Sequence, residues 1–185
     1  QSIESLFSER STQESILFAK RSLNILLKNY TTFLKKKNLT NSYKMALGAN
    51  LAGKAISISK TTAPHALSYP FTALFNVPHG HAVSLTLNKF LKFNYLNLNK
   101  SHSSFNLRKR FDLLFDLTKT KNLIELDRYL LNVKKKALLE QNFFKLGINL
   151  DRDGDRIIKG LNEKRLKNNP IKISKKDIQY ILKKF

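Results

Sequence analysis

The chain has 185 residues, of which 42% are apolar and 25% are charged, as is ordinary for a single soluble domain with a sizeable core. It contains no cysteine, so disulfides and thiolate metal sites are excluded, and a metal would need histidine, carboxylate or similar ligands. The net charge of +21, from 34 basic and 13 acidic residues, makes nucleic acid a candidate partner.

The first third of the chain has strong helical patterning. Residues 1–9 carry apolar side chains at helical spacing and look like the end of a helix that starts upstream. Ser11 and Glu14 form a capping-box pattern ahead of a long amphipathic helix that ends in three lysines. We expect Asn41 or Ser42 to cap the helix that follows.

That next helix is rich in alanine and glycine, which permits close approach of another helix or of a ligand. Asn50, Lys54 and Ser57 recur at i, i+4 and i+7 and therefore share one face. These three polar side chains either line a cleft or simply meet water, and the pattern alone favours neither.

Three of the four histidines and three of the four prolines fall between residues 61 and 90. His65 follows Pro64 and His79 follows Pro78, so each histidine is predicted in the first turn of a helix. Two imidazoles at successive helix starts can converge on one point, which suits a divalent metal. Pro70 is predicted to end or kink the first of these helices.

The remainder of the chain is also predicted to be helical, and no stretch shows strand alternation over more than a few residues. The predicted helices lie near residues 105–118, 121–131, 133–146 and 151–166, with a last short helix opened by Ser174 and Asp177. The fold class is therefore predicted to be all-α.

Chemistry alone leaves the role of the two histidines open. Each by itself is more often a core or capping residue, and two imidazoles leave a metal site short of ligands. Glycine-rich phosphate loops are absent from the sequence, so it predicts no dinucleotide site formed by this chain alone.

Four stretches together resemble the iron-containing (group III) alcohol dehydrogenase family. Members of that family have an N-terminal dinucleotide-binding α/β domain and a C-terminal all-helical domain of the dehydroquinate synthase-like type. The resemblance implies that residues 1–185 are the helical metal and substrate domain, without the N-terminal domain. The stretches are 46–56, 64–69, 76–83 and 162–170.

The resemblance also implies a metal site. In the family, an aspartate and three histidines hold divalent iron or zinc in the cleft between the domains, where the metal polarises the alcohol or aldehyde oxygen while NAD or NADP exchanges hydride with the adjoining carbon. His65 and His79 match the last two ligands. Gln1 stands at the position of the first histidine, and a glutamine carbonyl is a weaker ligand for these metals. Either the metal is bound differently here or its binding is reduced.

Further residues would face the cleft in a fold of this family, and we expect Asn50, Lys54, Ser57 and Tyr69 to lie close to substrate or cofactor. A lysine at position 54 suggests an anionic substrate. The motifs around His65 and His79 are similar to those of the branch that reduces phosphonoacetaldehyde.

The resemblance predicts the C-terminal part of a metal-dependent alcohol dehydrogenase or aldehyde reductase, whose small-molecule substrate is an alcohol or aldehyde. This chain alone is expected to bind NAD(P)H weakly and to be inactive, and it would act with the N-terminal domain, with a homodimer as one assembly. One alternative is a basic helical module that binds nucleic acid or another polyanion. A second is a catalytically degenerate relative, which the Gln1 departure supports.

We favour a solvated lysine-rich surface over nucleic-acid binding, because lysine greatly outnumbers arginine and few exposed aromatics are interleaved with it. No apolar run is long enough for a membrane helix, and no signal peptide is evident. A cytoplasmic location is the resulting expectation.

Overall fold

Helices follow one another through residues 1–184, the part of the chain that the computed structural model describes. Within that range there are no strands, and two short 3-10 helices, Leu98–Lys100 and Phe144–Leu146, join the α-helices. The all-α prediction is confirmed. The α-helices are α1 Ser2–Phe7, α2 Gln13–Lys35, α3 Leu39–Ser59, α4 Ala63–Phe75, α5 His79–Leu96, α6 Leu107–Thr118, α7 Leu123–Lys136, α8 Leu150–Lys159, α9 Glu163–Leu166 and α10 Lys175–Lys184.

The short helix α1 lies at the centre of the domain, and each of its six residues is buried. The Ser2 hydroxyl donates to the Ser22 hydroxyl of α2 at 2.7 Å. The Ser59 hydroxyl of α3 donates to the Ser5 hydroxyl at 2.9 Å. Buried hydroxyls need such partners, and these bonds attach α1 to both α2 and α3, which pack against each other as a long hairpin.

The start of α2 differs by one residue from the predicted capping box. Thr12 is the N-cap, and its side chain accepts from the Ser15 amide at 3.1 Å. The Ser15 hydroxyl in turn accepts from the Thr12 amide at 2.9 Å. The prediction of Ser11 and Glu14 is therefore wrong, because serine replaces the usual glutamate at the third helical position.

The start of α3 lies further upstream than predicted. Asn38 is the N-cap and accepts from the Asn41 amide at 2.9 Å, so Asn41 and Ser42 lie inside the helix. The small residues of α3 do allow close packing in one place, since a β-carbon at Gly48 would lie 2.6 Å from the Leu26 side chain.

Helix α4 continues past Pro70 to Phe75, so the helix does not end at the proline. A proline inside a helix leaves the carbonyl four residues earlier without its usual donor. Here the Ala66 carbonyl accepts instead from the backbone amide of Asn162 at 3.3 Å. The turn before α9 therefore satisfies the group that Pro70 orphans.

The second half of the chain divides differently from the prediction. Helix α7 runs through the predicted break near residue 132 and ends at Lys136, so the predicted 133–146 helix is wrong. The predicted 151–166 helix is two helices, because Asn162 caps the new helix α9 and accepts from the Arg165 amide at 3.1 Å. Ser174 and Asp177 do open α10, as predicted. None of the helices in residues 1–184 combines the length and hydropathy needed to span a bilayer.

Asn168, after α9, joins three separate segments through its buried side chain. Its Nδ2 donates to the Ser8 hydroxyl at 2.7 Å and to the carbonyls of Ser59 and Thr61 at 3.0 and 2.9 Å. Its Oδ1 accepts from the Arg10 amide at 3.2 Å. One amide group thereby fixes the loops that follow α1 and α3.

We predict that Asn168→Ala lowers the free energy of unfolding by about 2–4 kcal/mol, because it removes four hydrogen bonds that join these segments. Urea denaturation of the two proteins measures the difference. Asn132→Ala, at an exposed position of α7, is the matched control and should cost less than about 0.5 kcal/mol. Equal losses in both variants would contradict the role of Asn168.

Lys134 is a buried cation on α7, and 6% of its surface is exposed. Its Nζ donates to the Ser84 carbonyl of α5 at 2.8 Å. Burial lowers its pKa to about 8 from the ordinary 10.5; the charge of Asp127 opposes this shift and that of Lys89 adds to it. The folded state therefore binds the proton less tightly than the unfolded chain does, which penalises folding at neutral pH.

We predict that Lys134→Met is more stable than the parent protein at pH 7, by at most about 3 kcal/mol. The advantage should shrink as the pH rises from about 8 towards about 10.5, because the parent lysine then loses its charge in both states. Denaturation of both proteins across this range measures the difference. An advantage that grows with pH would contradict the assignment. Lys135→Met, at the neighbouring exposed position, should show no such trend.

Candidate functional site

The two predicted histidine helix starts are present and face each other. Helix α4 begins at Ala63 with Pro64 in its first turn, and α5 begins at His79 with Pro78 as its N-cap. The ring centroids of His65 and His79 lie 5.2 Å apart, and the ring planes are 68° from parallel. The convergence expected from the sequence is therefore confirmed.

The carboxylate of Glu4 caps the start of α4. Thr62 is the N-cap of this helix but makes no capping bond with its own side chain. Instead Glu4 Oε1 accepts from the Thr62 amide and hydroxyl, both at 3.0 Å, and from the His65 amide at 3.3 Å. A buried carboxylate is favoured there because the free amides and the dipole of a helix start attract negative charge.

The second oxygen of Glu4 pairs with Nδ1 of His65. Glu4 is 2% exposed, and burial by itself would raise the pKa of its carboxyl. The hydrogen bond and charge of His65, helped by the Thr62 amide, outweigh burial and bring that pKa down to about 2. The carboxylate thus holds the proton of His65 on Nδ1 and leaves Nε2 to bind a ligand.

His79 is held more loosely and is exposed. Its Nδ1 lies 3.4 Å from the Ser68 hydroxyl, which itself donates to the His65 carbonyl at 2.8 Å. The hydroxyl oxygen can then accept from Nδ1, which again leaves Nε2 as the free nitrogen. Partial burial of the ring and the nearby His65 lower the pKa of His79 against the opposing charge of Glu4, and this favours the neutral imidazole that metals bind.

The spacing of the two rings fits a shared metal. Two imidazoles that bind one zinc-like ion at about 2.1 Å, with a tetrahedral angle between them, have centroids roughly 5 Å apart. The 5.2 Å found here agrees with that separation. Within residues 1–184, no group of three or more histidine or carboxylate side chains is placed to hold a metal ion.

Among the other predicted site residues, Tyr69 lies beside the pair. Its ring centroid is 5.9 Å from that of His79, and 39% of the residue is exposed. Gln1 is an exposed residue at the N-terminal end of α1, on the side that carries Glu4. Its side chain makes no capping bond, and its role as a ligand stays a prediction.

Asn50, Lys54 and Ser57 lie on an exposed face of α3. The Lys54 ammonium lies 5.8 Å from the centre of the Phe18 ring, and the Ser57 hydroxyl donates to the Lys54 carbonyl at 2.8 Å. The structure does not bring these three residues into contact with the histidine pair. Their proximity to substrate or cofactor stays a prediction.

Sequence reasoning missed Glu4 and Ser68, which orient the two imidazoles. The only local signal for Glu4 was that it is a charged residue in a short stretch of apolar residues. Nothing in the local sequence shows that its partner lies sixty-one residues further along the chain. Ser68 follows His65 by three positions, one helical turn later, and that spacing was visible.

Comparison with known proteins gives a family match over nearly the entire chain. Residues 2–185 match the model described as the Fe-containing alcohol dehydrogenase family, C-terminal. The phosphonoacetaldehyde reductase of Streptomyces viridochromogenes is 31% identical over 97 residues, which are 51% of this chain and 24% of that protein. The 4-hydroxybutyrate dehydrogenase of Clostridium kluyveri is 29% identical over 98 residues, which are 50% of this chain and 26% of that protein.

Solved structures share the fold. The sulfoacetaldehyde reductase of Bifidobacterium kashiwanohense, solved in complex with NAD+, superposes with a TM-score of 0.80 at 20% identity and covers 100% of this chain and 48% of its own. An alcohol dehydrogenase from Oenococcus oeni superposes with a TM-score of 0.84 at 18% identity. The match covers 98% of this chain and 47% of that one. The chain thus spans about half the length of these solved relatives.

We predict that Glu4→Ala lowers the free energy of unfolding by about 3 kcal/mol or more, because four buried donors lose their acceptor. Glu4→Gln should cost less, since its amide oxygen can still cap α4. Glu14→Ala, an exposed glutamate in the first turn of α2, should cost below about 1 kcal/mol. Chemical denaturation ranks the variants. The same stability for Glu4→Ala and Glu14→Ala would refute the capping role.

Proposed function

Since this chain belongs to the Fe-containing alcohol dehydrogenase family, as its C-terminal part, we propose that it is the helical half of an NAD(P)-dependent alcohol dehydrogenase or aldehyde reductase. The observation that carries the proposal is the 5.2 Å approach of His65 and His79 at two helix starts. In the proposed enzyme the N-terminal domain, outside this sequence, binds most of the coenzyme.

His65 and His79 would hold a divalent metal, iron or zinc, through their Nε2 atoms. Such a metal supplies polarisation of the substrate oxygen, while the coenzyme exchanges hydride with the adjoining carbon. This chain's own contribution is to hold the ring proton of each imidazole on Nδ1, so that Nε2 is the atom available to a metal. Glu4 does this for His65, and the Ser68 hydroxyl does it for His79. Tyr69, half exposed beside His79, borders the place where substrate or nicotinamide would lie.

An anionic aldehyde is the proposed substrate class. The names of three relatives, phosphonoacetaldehyde reductase, sulfoacetaldehyde reductase and 4-hydroxybutyrate dehydrogenase, each contain a compound with a negatively charged group. Lys54 is the cation that we assign to that group. It is exposed and makes no ion pair within the described residues, so its charge is available to a ligand.

We predict that His65→Ala and His79→Ala each reduce the bound metal and slow NAD(P)H oxidation by at least about 100-fold in the complete protein that contains this chain. Elemental analysis and coenzyme absorbance measure the two effects. His81→Gln is the matched control, because its parent ring nitrogen is bonded to the Glu140 carbonyl and lies outside the pair. Full activity in either alanine variant would overturn the metal assignment.

The same assay distinguishes the substrate classes and the degenerate alternative. Phosphonoacetaldehyde and sulfoacetaldehyde should be reduced with a higher kcat/KM than propionaldehyde. Lys54→Gln should reduce this difference in kcat/KM between the charged and the neutral aldehydes. Equal rates for charged and neutral aldehydes would remove the anionic class but leave the dehydrogenase. A complete protein that folds but neither binds metal nor oxidises coenzyme would favour a catalytically degenerate relative.

A further inference from the structure

A cavity of about 760 Å³ lies between the end of α8, helix α9 and the segment that leads into α10. Its volume falls in the range of ordinary small-molecule sites, about 300–1,000 Å³. It shares no lining residue with the histidine pair and has no part in the proposed dehydrogenase chemistry. Its lining divides into an apolar set and a cationic set.

The apolar set consists of four aliphatic side chains in the lining of the cavity. Ile158 is buried, and the other three are half-buried: Leu161, Leu166 and Ile173. Half-buried aliphatic groups around a cavity favour a ligand that removes their surface from water. This set favours a hydrocarbon or aromatic body over a small hydrated ion.

The cationic set consists of exposed lysines: Lys159, Lys167, Lys172 and Lys175. None of these four ammonium groups forms an ion pair with an acidic side chain in residues 1–184. The lining contains one carboxylate, Glu163. The acid nearest along the chain to Lys175 is Asp177, whose carboxylate is occupied by the Ser174 amide and hydroxyl. Several like charges around one concave surface create a positive potential that attracts an anion.

We propose that this cavity binds an amphipathic small-molecule anion, with an apolar body against Ile158, Leu166 and Ile173 and an acidic head among the lysines. A carboxylate, sulfonate or phosphate head would serve equally, since separate lysines act as point charges and impose no bidentate geometry. The aliphatic part of the lining favours an apolar group, and the lysines favour an anionic one. A neutral apolar molecule leaves the lysines unneutralised, and a small inorganic anion leaves the aliphatic surface in water.

Octanoate is a suitable probe, with 1-octanol and acetate as its neutral and short-chain counterparts. We expect octanoate to bind this chain at one site in a calorimetric titration, and at least about fivefold more tightly than either counterpart. In a nitrogen-15 amide spectrum the shifts should concentrate in residues 158–175. Equal binding of 1-octanol, or shifts spread over the whole surface, would overturn the proposal.

Two paired variants test the lysines without disturbing the core. Lys172→Gln with Lys175→Gln should weaken octanoate binding by at least about fivefold and leave 1-octanol binding unchanged. Lys135→Gln with Lys136→Gln removes the same charge from the exposed end of α7 and should change octanoate binding less than twofold. Equal weakening in the two pairs would show attraction to the net charge of the protein and would overturn a defined site.

Discussion

A single buried carboxylate, that of Glu4, connects the fold of this domain to its candidate site. One of its oxygens satisfies the free amides at the start of α4, and the other fixes the ring of His65. Burying a charge in this way is costly unless every lone pair finds a donor. The helix start supplies those donors, so the same contacts that stabilise the carboxylate also set the direction of the imidazole. The position of α1 therefore determines the orientation of His65, because both depend on the contacts of Glu4.

That dependence explains which parts of the molecule could be predicted from the sequence. The two Pro-His steps predict helix starts because proline suits the first turn, and both starts are found. The capping residues were misplaced by one to four positions, since several neighbouring polar residues can each cap a helix. The continuation of α4 beyond Pro70 was not predictable locally, because the donor that satisfies Ala66 belongs to Asn162. Glu4 was missed for the same reason, as its partners lie far away in the sequence.

The family resemblance indicated a function for the histidine pair, which the spacing of the two residues alone did not. From the residues alone the histidine pair was equally consistent with a structural role, and only the motifs around it pointed to dehydrogenases. The structure adds the physical detail that the resemblance lacked. It shows that the two rings come within the separation expected for a shared ion, and that different groups restrain them: a buried carboxylate for His65 and the buried Ser68 hydroxyl for His79. The looser restraint on His79 leaves its ring freer to change orientation than the ring of His65.

Because the composition is rich in lysine, most of the positive charges do not by themselves indicate a structural or binding role. Most lysines here are exposed on helix surfaces, where solvent screens them and their charge says little about function. Two settings differ from that background. Lys134 is buried against the Ser84 carbonyl, so its charge costs stability and its position is defined by packing. The lysines beside α9 line a cavity together with aliphatic side chains and a single carboxylate, and this is the setting of the proposed anion site. In a chain with this much positive charge, the surroundings of each lysine are therefore a better guide to its role than the number of cations.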